Sequence, residues 1–134
     1  MLRTGVSLTL IPLDVMRRAL FSPSELSELL AGSSKPCRFL SQVVPFGIAA
    51  TSNLYGIEGL HLKDVLGVVA VAMPEAVRTK PMRVDVETRG ELTRGMSVFD
   101  QRSWEPGAAN VDLVTEVDGT KVRAYIGRVL GSSA

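Results

Sequence analysis

A mixed α/β fold is the class this sequence predicts, and three observations carry it. Behind Gly5 the near-continuous apolar run Val6, Leu8, Leu10, Ile11, Leu13 has the character of a strand covered on both faces, as in a parallel sheet. Ser22, Pro23, Ser24, Glu25 is a helix start: a capping serine, proline at the first helical position and a glutamate placed to return a bond. From Met82 to Thr88, apolar residues alternate with Arg83, Asp85 and Glu87, the period of a half-exposed strand. With 134 residues the chain fits one domain or part of one, since halves would be too small to bury a good core.

The remaining elements follow in chain order. Leu26, Leu29 and Leu30 give the first helix its buried stripe, and Gly32, Ser33 and Ser34 end it. Phe39, Leu40, Val43 and Val44 predict a second helix, kinked or broken near Pro45 and Gly47. From Ala49 to Gly59 the apolar period is lost, so this stretch, with Tyr55 and Glu58, is expected to be a loop, mobile without ligand from Thr51 to Gly59. Asp64 opens a small, apolar run through Met73 that predicts a buried helix closed by Pro74. After a turn at Gly90, Met96 to Phe99 and Val111 to Val117 are further strands, separated by a loop with Trp104, Pro106 and Gly107. Val122, Tyr125, Ile126, Val129 and Leu130 keep helical spacing at the end.

Composition narrows function. A net charge of +1, from 15 basic and 14 acidic residues without a basic run, gives no footprint for nucleic acid or an acidic membrane surface. The lone Cys37 excludes an internal disulfide and thiolate clusters, which suits a cytoplasmic location, and the single His61 excludes histidine-rich zinc sites. The apolar stretch near Met1 is broken by Pro12 and Asp14, unlike a secretory signal, and Val65 to Met73 is far too short for a membrane span.

The six aspartates and eight glutamates are scattered, with no metal or acid/base motif among them. Asp64 is the most suggestive carboxylate, readable as a helix cap or as a site residue. His61 and Lys63 precede it and could protonate a leaving group or belong to a solvated turn. Tyr55 could stack on a flat substrate or anchor packing. Asp14 follows the first strand, where α/β proteins place sites, but Arg17 and Arg18 offer it a salt-bridged turn instead. Cys37 has no histidine nearby to activate it.

Four collinear stretches, GVSLTLIPLDV, HLKDVLGVVAVAMPEAV, VDVETRGELTRGMSVFD and NVDLVTEVD, resemble the C-terminal part of the inosine-uridine preferring nucleoside hydrolases, over about residues 4 to 130. The resemblance implies the C-terminal portion of an open α/β fold, hydrolysis of the N-glycosidic bond of ribonucleosides to ribose and base, and a bound calcium ion. It makes Asp64 the calcium ligand of this region and puts Tyr55 and Glu58 on the base side as substrate-binding residues. It makes His61 and Lys63 the candidates for protonating the departing base.

Two departures matter. The family often has histidine where this chain has Lys63, and an ordinary ammonium, with a pKa of about 10.4, is a poor proton donor at neutral pH. The family's aspartate-rich motif, source of most calcium ligands and of the water-activating carboxylate, is absent, as is its asparagine-rich ribose-binding segment. Residues 1–134 are therefore expected to be a single partial domain and incomplete as a catalyst. Its partner would be a complementary N-terminal half or a second copy; the alternative is a non-catalytic module that pairs with another chain.

Overall fold

The computed structural model describes residues 1–102, 104 and 107–132; Pro106 of the expected inter-strand loop lies outside them. In chain order the elements are β1 (Thr9–Leu10), α1 (Leu13–Met16), β2 (Leu20–Phe21), α2 (Pro23–Leu29), α3 (Lys35–Tyr55), β3 (Leu60–His61) and α4 (Lys63–Ala72). A 3-10 turn (Pro74–Ala76) leads to β4 (Val77–Met82), β5 (Val84–Val86), β6 (Ser97–Phe99), β7 (Val111–Val117) and α5 (Gly119–Ser132). The mixture of helices with a mixed sheet is the α/β class expected.

The main sheet has the order β1-β7-β4, with β1 parallel to β7 through Leu10↔Leu113 and β4 antiparallel to it. Two short antiparallel pairs, β2 with β3 and β5 with β6, complete the pairing. Phe21, Leu26, Leu66, Val69 and Val122 form one apolar core between the helices, while Met82, Val84, Val111 and Leu113 form a second against the sheet.

Several expectations need correction. Only Thr9 and Leu10 of the first apolar run pair as a strand. Because β7 flanks one side alone, β1 is an edge and Val6 stays 63% exposed rather than covered on both faces. Helix α3 runs unbroken through Pro45 to Tyr55, so residues 49–55 are helix and not loop. Proline removes one rung of the hydrogen-bond ladder, and the inward face of Val44 before it continues through Ile48 and Thr51 beyond it. The stop is Gly56, whose φ of 64° closes the helix with its N–H donating to the Ser52 carbonyl at 2.9 Å.

Helix α4 begins at Lys63 after Leu62, so Asp64 lies inside the first turn rather than capping it. The helix buries Leu66 and Val69 but exposes Val68 and Val71 at 60% and 83%, against the fully buried helix expected. The predicted strand at Met82 to Thr88 is divided at Arg83, and the six-residue β4 before it carries no sequence signal.

Candidate functional site

Tyr55, Glu58, His61, Lys63 and Asp64 occupy one continuous corner: the end of α3, the turn after it, β3 and the first turn of α4. The corner is held from three directions. Leu60 and His61 pair with Phe21 and Leu20 of β2. The Thr51 hydroxyl of α3 lies 2.7 Å from the Gly59 carbonyl and donates to it. At Gly59 itself φ is +144°, and a Cβ there would sit 2.5 Å from the Phe21 carbonyl oxygen, so glycine is required for the strand to approach β2.

The side chains differ in environment. Tyr55 is 72% exposed at the last position of α3 rather than buried in the core, and Glu58 is exposed in the turn. Lys63 and Asp64 are exposed. Among the described residues none donates a hydrogen bond to the Asp64 carboxylate; its place in the first turn of α4 gives it the positive end of the helix dipole. His61 is half-buried, and its Nδ1 is buried without a partner among the described residues. Burial, then the positive charges of Lys63 and Arg17, hold its pKa below 6.5, so the imidazole is neutral at pH 7.

Arg17, just past α1, is thereby a member of this corner that sequence reasoning placed elsewhere. Arg17 and His61 are 44 positions apart and are brought together by the β2–β3 pairing, which leaves no local signal. Asp14 lies in α1, and among the described residues it forms no ion pair with Arg17 or Arg18, so the salt-bridged turn is not there. Cys37 is buried where α3 meets α5, its thiol near the Leu29 and Leu130 carbonyls.

The described surface also carries open clefts apart from this corner. One, about 820 Å³, lies beside β5 and β6 and is lined by Arg83, Asp100, Arg102 and Trp104. Both arginines are engaged, Arg83 by Asp85 at 2.8 Å and Arg102 by Asp100 at 2.8 Å. The Arg102 side chain, followed by the Gly107 N–H, holds the Asp100 carboxyl far below the ordinary carboxylate range. Another cleft at the end of β1 is lined by Asp14, Lys80, Gln101 and Thr115. Neither takes in Tyr55, Glu58, His61, Lys63 or Asp64.

Calcium takes six to eight oxygen ligands. Among the described residues no group of three or more His, Cys, Asp or Glu side chains comes together. The described residues therefore do not make up a calcium shell by themselves.

Comparison with known proteins adds the family context. The model of the inosine-uridine preferring nucleoside hydrolases matches residues 1–124. The inosine-uridine preferring nucleoside hydrolase of Crithidia fasciculata is 26% identical over 113 residues, which are 84% of this chain and 36% of that protein. The non-specific ribonucleoside hydrolase RihC of Escherichia coli is 28% identical over 130 residues, 96% of this chain and 40% of that protein. Among solved structures, a plant nucleoside hydrolase superposes with a TM-score of 0.86 at 19% identity, covering 98% of this chain and 43% of its own. A purine-preferring ribonucleoside hydrolase from Gardnerella vaginalis superposes at 0.81 with 24% identity, covering 97% and 42%. The two structures share the fold, and this chain spans about two fifths of the length of the relatives it matches.

Proposed function

The chain belongs to the inosine-uridine preferring nucleoside hydrolase family, and from that premise we propose that it serves the hydrolysis of ribonucleosides to ribose and free base, supplying one corner of the active site rather than all of it. The observation that supports this most is Asp64: an exposed carboxylate without a partner among the described residues, at the start of α4, inside a family match of 124 residues.

In this reading Asp64 gives one carboxylate to a calcium shell whose other oxygens come from outside residues 1–134. Tyr55 and Glu58 stand on the base side, exposed at the end of α3 and in the turn after it. When the C1′–N bond breaks, water oxygen bonds to the anomeric carbon and the departing base nitrogen must gain a proton or hydrogen bonds. His61 is neutral at pH 7 and so offers an N–H hydrogen bond rather than the full proton of an imidazolium. Lys63 is the exposed cation beside it, suited to stabilising negative charge on the base. A cytoplasmic setting accords with the lone buried thiol of Cys37.

Ribose release from inosine, uridine and cytidine, assayed with added calcium, tests the incompleteness. The isolated chain is expected to give no turnover. A rate of about 0.1 per second, within a hundredfold of a median enzyme, would show that a complete site exists within these residues and overturn the reading.

A further inference from the structure

The corner that carries Asp64 is built on two very short strands. β2 and β3 share the pairs Leu20↔His61 and Phe21↔Leu60, and a two-stranded ladder of that length does not hold itself together in water. Each strand therefore needs an anchor. On one side the Thr51 hydroxyl of α3 donates to the Gly59 carbonyl just before β3. On the other side Arg123 of α5 reaches β2. We propose that Arg123 is a positioning residue for the corner: it fixes β2 and, through the β2–β3 pairing, sets where His61, Lys63 and Asp64 stand. Its bearing on catalysis rests on the hydrolase reading, whereas the placement itself does not.

Arg123 meets three partners at once. Its Nη2 donates to the Leu20 carbonyl at 3.3 Å, and its guanidinium carbon lies over the Phe21 ring, 4.8 Å from the centroid. These two contacts engage both residues of β2. Its Nε donates to the Glu25 carboxylate at 2.7 Å, and Glu25 is itself held at the start of α2, its other oxygen accepting from the Ser22 N–H at 2.8 Å. A planar guanidinium on such a support can meet a carboxylate and a carbonyl while lying over a ring, which the point charge of an ammonium cannot. Space is kept for it as well: a Cβ on Gly119, one turn earlier in α5, would fall 2.7 Å from Arg123 Nη1. The neighbouring Val122 is buried in the helical core, so the backbone from which Arg123 reaches is fixed.

β2 passes this position on in both directions. Phe21 is 1% exposed, and its carbonyl meets Gly59 so closely that no Cβ fits, so β3 cannot shift independently of β2. Asp64 follows His61 by three residues, and Arg17 precedes Leu20 by three. Fixing β2 therefore fixes the spacing between Arg17 on one side and His61, Lys63 and Asp64 on the other. The Arg123–Glu25 pair is partly open to solvent, where an ion pair by itself stabilises little. What it contributes is geometry.

Hydrogen exchange of the full chain, read amide by amide by NMR, separates positioning from general support. Arg123→Gln should speed exchange in β2 and β3 about tenfold, the loss expected for one charged hydrogen bond, while the amides of β7 keep their rates. The ring signal of His61, the sole histidine, should move at the same time. Arg123→Lys keeps the charge but offers no fork, so it should act in the same direction, and it decides the matter should Arg123→Gln unfold. In a mixture with the N-terminal portion of a nucleoside hydrolase relative, Arg123→Gln should lower kcat about tenfold at unchanged KM, since displaced groups cost turnover. The proposal is overturned by β2 and β3 amides that exchange no faster, by equal acceleration in β7, or by an unmoved His61 signal; full turnover of the Arg123→Gln mixture would overturn its bearing on catalysis. An unsubstituted mixture without turnover counts against the hydrolase reading alone, because the exchange rates and the His61 signal decide the placement without it.

Discussion

The Thr51 hydroxyl on α3 donates to the Gly59 carbonyl across 2.7 Å, fastening the last turns of a long helix to the strand that carries His61. Gly59 in turn lies so close to the Phe21 carbonyl that no Cβ fits between them. These contacts link the helical core to the corner that holds Asp64 and bring its glycine-containing turn against β2.

Gly59→Ala is accordingly expected to cost about 2–4 kcal/mol, from a positive φ and a backbone clash together. Thr51→Val should cost about 1 kcal/mol, the net worth of one hydrogen bond. Urea unfolding measures both. A Gly59→Ala midpoint equal to that of the parent chain would mean that β3 does not approach β2 as described.

The start of α2 predicts a distinct acid response. Ser22 and Glu25 form a reciprocal capping box, and Glu25 also accepts from Arg123 at 2.7 Å. The Ser22 backbone N–H, then the Arg123 side chain, lower the Glu25 pKa from 4.5 to about 2. The folded value lies below the unfolded one, so its stabilisation is present above pH 4.5 and is lost as pH falls through about 2. A carbon-detected NMR titration should find the Glu25 midpoint near 2, and Ser22→Ala should raise it while costing about 1 kcal/mol. A midpoint at 4.5 would contradict the box.

His61 has the same sign of linkage in a higher window. Its folded pKa is held below 6.5 by burial and by Lys63 and Arg17, so the unfolded chain binds the proton more readily and stability falls as pH drops below 6.5. His61 is the sole histidine, so His61→Leu should flatten this slope below pH 6.5. The variant should also be at least as stable at pH 7, having lost a buried nitrogen without a partner. An unchanged slope would locate the titration elsewhere.

Which parts of the molecule are legible in the sequence depends on how local their physics is. The capping box at Ser22 and Glu25 and the strand at Val111 to Val117 rest on neighbours a few residues apart, and both are present. Strand β4 was hidden because it is an edge: Arg78, Thr79, Lys80 and Pro81 stay exposed, and an edge tolerates the proline that argues against a central strand. The unbroken α3 was hidden for a related reason, since Pro45 faces outward and packing on both sides of it holds the helix together. In the candidate corner, the placement of Asp64 within the first turn of α4 follows from the apolar run behind it. The approach of Arg17 to His61 exists only once β2 pairs with β3.

The most direct test of the account is reconstitution. The chain is mixed with the N-terminal portion of a nucleoside hydrolase relative that carries the aspartate-rich motif, and ribose release from inosine and uridine is followed with added calcium. Neither part alone is expected to turn over, the mixture is expected to do so, and Asp64→Ala in this chain should abolish the gain while its melting curve stays unchanged. Turnover in the mixture that survives Asp64→Ala would contradict the claim that Asp64 carries this chain's share of the site.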